Sequence, residues 1–251
     1  MSLLSAAQRA LFDRDGYVVV PGLFDNRAVA DLARWTTELL AAPEVPGRHM
    51  VYGEPSLRDQ KTRLVQRIEN FCPFHADFDG LLNGPLLAST AKLFAEPAVM
   101  FKDKINFKLP GGDGFKPHQD QQAGWTAYAS LFITVMVAVD DATAENGCLE
   151  IAPGQHRRGM LGAEWKPLTA REMEGFELTP LSTRAGDVVF FDSYVPHGSQ
   201  PNLSDGPRRV LYVTYNRARE GDHREQYFAE KRRNFPPDVE REPGKHYVFR
   251  V

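Results

Sequence analysis

From about residue 98 the chain breaks into short β-favouring runs with turn residues between them, at 99–109, 130–139, 148–152, 187–192 and 208–216. Evenly spaced short strands of this kind close into a sandwich or a barrel. The first third reads differently. Residues 5–14 have the pattern of a short helix ending at Asp15-Gly16, and 17–20 form a β-rich run stopped by Pro21-Gly22. Residues 25–42 carry Val29, Leu32, Trp35 and Leu39 at helical spacing, with Asp25 placed to cap the first turn. Residues 78–94 are a second long helical stretch. Helices first and antiparallel strands after them predict a mainly β fold, a jelly roll buttressed by N-terminal helices. No repeat or long linker divides the 251 residues. They read as one domain, with helical support over about 1–97, a core over about 98–220 and a tail over about 221–251.

Composition closes off several functions. A net charge of -3 gives no basic field for nucleic acid. No apolar run approaches the roughly 20 residues that span a bilayer, and the charges of the first sixteen residues come too early for a secretory signal. Two cysteines make no disulfide framework, so the expectation is a cytoplasmic protein. It is expected to meet a small molecule and to work as a monomer or homodimer.

The run at 101–109 holds two faces, because side chains alternate along a strand. Phe101, Asp103, Ile105, Phe107 and Leu109 form one, expected to pack on the helices. Lys102, Lys104, Asn106 and Lys108 form the other. That face is either a solvated edge or the lining of an anion-binding cavity.

Just downstream stands His118-Gln119-Asp120. Spacing by two puts His118 and Asp120 on one side of an extended backbone and turns Gln119 away. His197 follows the β-patterned Asp187-Val188-Val189-Phe190-Phe191-Asp192 across Val195-Pro196, near a strand end. Two histidines and one carboxylate can occupy one face of Fe(II) and leave open positions for co-substrate and oxygen. The same set makes open zinc sites. Arg208 favours iron, since its planar fork grips a carboxylate such as the far end of 2-oxoglutarate. Arg209 should point to the opposite face. His49, His75, His156, His223 and His246 read as surface or structural residues.

Several segments together resemble the phytanoyl-CoA dioxygenase family of Fe(II)- and 2-oxoglutarate-dependent oxygenases. They run from Phe12-Asp13-Arg14-Asp15-Gly16-Tyr17 through Pro117-His118-Gln119-Asp120, Glu145-Asn146-Gly147-Cys148-Leu149 and Pro153-Gly154-Gln155-His156. They end with Gly186-Asp187-Val188-Val189-Phe190-Phe191 and His197-Gly198-Ser199-Gln200-Pro201-Asn202, then Pro207-Arg208-Arg209. The resemblance implies a double-stranded β-helix, Fe(II) on His118, Asp120 and His197, O2 as oxidant, and 2-oxoglutarate gripped by Arg208. Ser199, Asn106 and Thr134 become candidates to touch 2-oxoglutarate. Asp120 implies hydroxylation, because related halogenases carry Gly or Ala there. The segment Phe101-Lys102-Asp103-Lys104-Ile105-Asn106-Phe107-Lys108 is similar to a bacterial branch that hydroxylates aminoalkylphosphonates.

The expected activity is therefore hydroxylation of a small polar metabolite resembling 2-aminoethylphosphonate, with release of succinate and CO2. Lys104, Lys108, Gln121, Trp125 and Tyr194 are the candidates to meet it. Two readings compete. An acyl-CoA, amino-acid-derived or natural-product substrate calls for a large apolar pocket, and a non-catalytic module would bind metal or 2-oxoglutarate without turnover. Residues 46–63 and 121–128 are candidate covers for the site. Trp125, Tyr128 and Tyr52 either shape the pocket or anchor loops, and 217–233 reads as a solvated helix or a subunit contact.

Overall fold

The computed structural model describes residues 4–247. Two antiparallel sheets face each other. The larger has seven strands: β1 (Tyr17–Val20), β2 (Met50–Pro55), β3 (Arg63–Glu69), β4 (Ala98–Lys108), β6 (Phe132–Ala138), β9 (Val188–Asp192) and β11 (Arg208–Arg217). Their spatial order is β1-β9-β6-β11-β4-β3-β2. The smaller contains β5 (Phe115–His118), β7 (Leu149–Ile151), β8 (Thr179–Leu181) and β10 (His197–Ser199), in the order β5-β10-β7-β8. This is the expected jelly roll.

Alternation sorts the core into layers. Ile133, Val135 and Val137 of β6, with Leu211, Val213 and Tyr215 of β11, point outward and bury against the helices. Those helices are α1 (Ala6–Asp15), α2 (Asn26–Ala41), α3 (Ala76–Leu81) and α4 (Leu87–Phe94), which contribute Phe12, Leu32, Leu39, Phe78 and Leu93. Met136, Val210 and Tyr212 point inward and meet Leu149 and Ile151 of the smaller sheet. Ser5 and Asp25 cap α1 and α2 by accepting from Gln8 N and Ala28 N. Gly16 ends α1 in the left-handed conformation at φ 78°, where any Cβ is disfavoured.

Four expectations need correction. The helix expected over 78–94 is broken into α3 and α4 by a π-turn at Leu82–Leu86. Gly84 leaves helical geometry there and Pro85 has no N–H to donate. The N-terminal third is helical but not only so, because β2 and β3 extend the larger sheet; residues 50–55 of the supposed cover 46–63 are thus a sheet strand. Phe101 does not face the N-terminal helices. The ladder between β4 and β11 skips a residue, pairing Thr214 with Lys102 and Tyr215 with Met100. This bulge turns Phe101 to the side of Trp125 and Tyr227. Finally, the charged stretch 217–233 is not simply solvated. It contains α5 (Arg224–Asn234), whose Tyr227 and Phe228 are buried in a cluster with Phe101, Trp125 and Phe132. No helix of the described residues is long and apolar enough to cross a membrane.

Candidate active site

The smaller sheet brings the two histidines together. β10 pairs antiparallel with β5, and His197 lies directly opposite His118 in that ladder. Cross-strand neighbours stand close, and the two ring centroids are 4.3 Å apart. Asp120 begins the turn after β5. One ligand atom from each of His118, Asp120 and His197 falls within a common 4.8 Å, and no other such group occurs among the described residues. Gln119 turns away as expected and donates to the Gly159 and Tyr194 carbonyls.

Each group is held in a fixed orientation. Nδ1 of His118 lies 2.8 Å from the Lys116 carbonyl, and Nδ1 of His197 lies 3.0 Å from that of Val195. A carbonyl only accepts, so both Nδ1 atoms carry a proton, which leaves Nε2 as the ring nitrogen available to a metal. His197 Nε2 lies 3.9 Å from Asp120 Oδ1. Burial first, then the adjacent His197, pulls the pKa of His118 down to about 3, which keeps the ring neutral. Burial alone raises Asp120, but His197, His118, Lys104 and Lys102 outweigh it and hold the carboxyl below its ordinary value. The donor set fits a divalent iron: two imidazoles and one carboxylate on one side, with open cavity on the other.

That cavity and its open mouth together span about 500 Å³. The triad lies in its wall, with Lys102, Lys104 and Asn106 from β4, Tyr212 and Thr214 from β11, and Thr134 from β6. Phe115, Leu149, Phe191, Trp125, Gly198 and Ser199 complete the lining. The lysine face of β4 is therefore not a solvated edge: Lys102, Lys104 and Asn106 line the cavity, and Lys108 is buried beyond it.

At the Lys108 end of β4 sits a second cationic group. Arg208 is the cross-strand partner of Lys108. It is 1% exposed, and its Nε and Nη1 have no hydrogen-bond partner. A buried guanidinium left open in this way is costly unless an anion meets it. Lys108 donates to Ser199 Oγ at 2.7 Å and to the Gly147 and Gln200 carbonyls. Burial and then Arg208 lower its pKa to about 7. Arg209 points the other way, with Nη2 and Nε 2.7 and 2.8 Å from Asp140.

Other candidates separate by placement. Trp125 and Lys104 line the cavity. Lys108, Gln121 and Tyr194 do not: Lys108 is spent beside Arg208, buried Gln121 donates to the Ala129 carbonyl, and Tyr194 bonds the Ser130 carbonyl. Tyr52 stacks on Phe235 and Tyr128 bonds Glu230, so both anchor other segments. Thr134 lines the cavity, but its hydroxyl donates to Asp120 Oδ2 at 2.9 Å and pairs with Thr214. Asn106 is buried with Oδ1 unpartnered. Sequence reasoning missed Tyr212 and Thr214, although both lie at even spacing from Arg208 on one strand and so share its face.

The sequence profile of the family described as phytanoyl-CoA dioxygenase (PhyH) matches residues 12–210. The chain is 41% identical over 249 residues to a 2-aminoethylphosphonate dioxygenase from the uncultured bacterium HF130_AEPn_1, covering 98% of this chain and 95% of that one. It is 37% identical to a methylphosphonate hydroxylase of Gimesia maris, covering 92% and 88%. Among solved structures, EctD from S. alaskensis with 2-oxoglutarate and 5-hydroxyectoine superposes with a TM-score of 0.74 at 24% identity, over 86% of this chain and 77% of that one; this likeness concerns the fold. The chain belongs to the phytanoyl-CoA dioxygenase family and is a 2-oxoglutarate-dependent non-haem iron dioxygenase.

Proposed function

We propose that this dioxygenase hydroxylates a short aminophosphonate resembling 2-aminoethylphosphonate. The observation that carries the reading is the pair Lys102 and Lys104 in the wall of a cavity that also holds the triad. A phosphonate dianion needs cationic donors, and a small cavity with lysines in its wall suits neither an acyl-CoA nor a large apolar product. The names of the two relatives point the same way.

In this reading His118, Asp120 and His197 hold Fe(II), which when bound supplies the activation of O2 coupled to oxidation of 2-oxoglutarate. Arg208 receives the far carboxylate of 2-oxoglutarate, with Lys108 and Ser199 beside it. Phe115, Leu149, Phe191 and Trp125 keep the walls dry. The reaction converts one substrate C–H to C–OH and releases succinate and CO2. Substrate and 2-oxoglutarate each give up two electrons, and O2 takes the four, one oxygen atom going to the new hydroxyl and the other to succinate. The whole chain acts as one unit, since α5 packs Tyr227 on Phe101 beside the cavity. The free, buried Cys72 and Cys148 suit a cytoplasmic setting.

Iron-loaded enzyme given 2-oxoglutarate and 2-aminoethylphosphonate should form one succinate per hydroxylated phosphonate, followed by chromatography and phosphorus NMR. Succinate formation that no short phosphonate stimulates refutes the substrate reading. Absence of turnover with every compound tried restores the non-catalytic module.

Thr134 is proposed as a positioning residue for Asp120 rather than a contact to 2-oxoglutarate. Thr134→Val keeps the shape and removes the donor, so apparent Fe(II) affinity should fall roughly 10- to 100-fold. An unchanged iron titration leaves Thr134 with packing alone.

A further inference from the structure

The cavity offers much to an anion and little to a cation. Lys102 is the better-held of its two lysines. Its Nζ lies 3.8 Å from Glu69 Oε2, and its side chain is 13% exposed. It stands 5.6 Å from the ring centroids of both Trp125 and Tyr227. Lys104 lies 4.8 Å from the ring of Tyr212 and 5.8 Å from that of Phe115.

Glu69 is fully buried on β3 and is already claimed. Arg67 Nε donates to it at 2.7 Å, and Lys231 reaches it from α5. Together Glu69 and Lys231 fix where the Lys102 ammonium can sit. Among the described residues lining the cavity, the only carboxylate is Asp120, a member of the triad. Of the rings in the wall, Trp125, Tyr212 and Phe115 already have a lysine near them, and Phe191 packs on His197. An amino group entering this cavity meets no free counter-charge.

We propose that the site selects its substrate by the phosphonate dianion, received by Lys102 and Lys104, and leaves the amino end unread, so that its substrates are short alkylphosphonates with or without an amine. Lys102 is the specificity-determining residue, and Glu69 with Lys231 positions it. This rests on the phosphonate reading above and narrows it. Discrimination follows from desolvation: a dianion brought into a low-dielectric cavity requires buried cations, whereas a methyl group in place of the ammonium forfeits no charged partner, the one open acceptor in the wall being the neutral Asn106 Oδ1.

The test compares three compounds on the iron-loaded enzyme. They are 2-aminoethylphosphonate, propylphosphonate (methyl for ammonium) and β-alanine (carboxylate for phosphonate). Propylphosphonate should be hydroxylated with kcat/KM within about tenfold of the aminophosphonate, and β-alanine not at all. Lys102→Met should raise the KM values for both phosphonates in parallel, about a hundredfold or more, while the half-saturating concentration for the 2-oxoglutarate co-substrate changes less than about threefold. Lys102→Arg keeps the charge and should recover part of the loss, which covers the case of a methionine variant that folds poorly. Inorganic phosphate should compete with either phosphonate on the wild type.

Turnover of the aminophosphonate with propylphosphonate down by more than about a thousandfold overturns this proposal and leaves the phosphonate function standing. An unchanged phosphonate KM in Lys102→Met overturns the assignment of Lys102. Failure of both phosphonates with an enzyme that binds iron and 2-oxoglutarate overturns the function and the proposal together.

Discussion

His197→Ala is expected to cut turnover by more than about a thousandfold, roughly 4 kcal/mol of barrier. The imidazole removed is one of three groups proposed to hold the iron, and nothing nearby replaces it: the described residues contain no second cluster of His, Cys, Asp or Glu able to ligate. The loss should appear in binding as well as in rate. Fe(II) and then 2-oxoglutarate added anaerobically to the wild type should give a visible charge-transfer band, and the variant should give none. His223→Ala is the control. That ring bonds the Glu220 carbonyl of its own turn and lies off the cavity, so band and turnover should persist. Full turnover by His197→Ala dismisses the triad.

Such a pointed prediction is possible because the ligands are readable as sequence. His118 and Asp120 are two residues apart on an extended segment, and alternation alone puts them on one side. The ladder between β5 and β10 supplies what spacing cannot, placing His197 opposite His118 although the two are distant along the chain. The lysine face of β4 is legible by the same alternation, but only as far as Lys102. Beyond it the bulge at Phe101 resets the pattern, and no residue type at that point announces a bulge. The strands β2, β5, β8 and β10 escape notice because three- to six-residue runs containing Gly, Pro and charge carry little periodic signal. Glu69 and Lys231 are far apart in sequence and meet only through tertiary packing. Their hold on Lys102 has no local signature, which is why 217–233 reads as solvated.

Arg208→Met is expected to raise the 2-oxoglutarate concentration needed for half-maximal rate by about a hundredfold or more, in line with roughly 2–5 kcal/mol for truncating one side of a buried ion pair. The rate at saturating 2-oxoglutarate should suffer less. The same variant carries a second, opposite expectation. Without 2-oxoglutarate the wild type buries a guanidinium with two unpartnered nitrogens, so replacing it by an apolar side chain of similar length should leave the melting temperature equal or higher. A residue kept for the fold alone behaves in reverse, and its neighbour provides the comparison. Arg209 spends its fork on Asp140 and touches Thr37 and the Ala33 carbonyl of α2. Arg209→Met should therefore lower the melting temperature and leave the 2-oxoglutarate dependence alone. Titrations and melts of the two variants, each with and without 2-oxoglutarate, separate a side chain that waits for a carboxylate from one that already has it. An unchanged 2-oxoglutarate dependence in Arg208→Met, or a melting temperature that falls as for Arg209→Met, removes Arg208 from the role proposed for it.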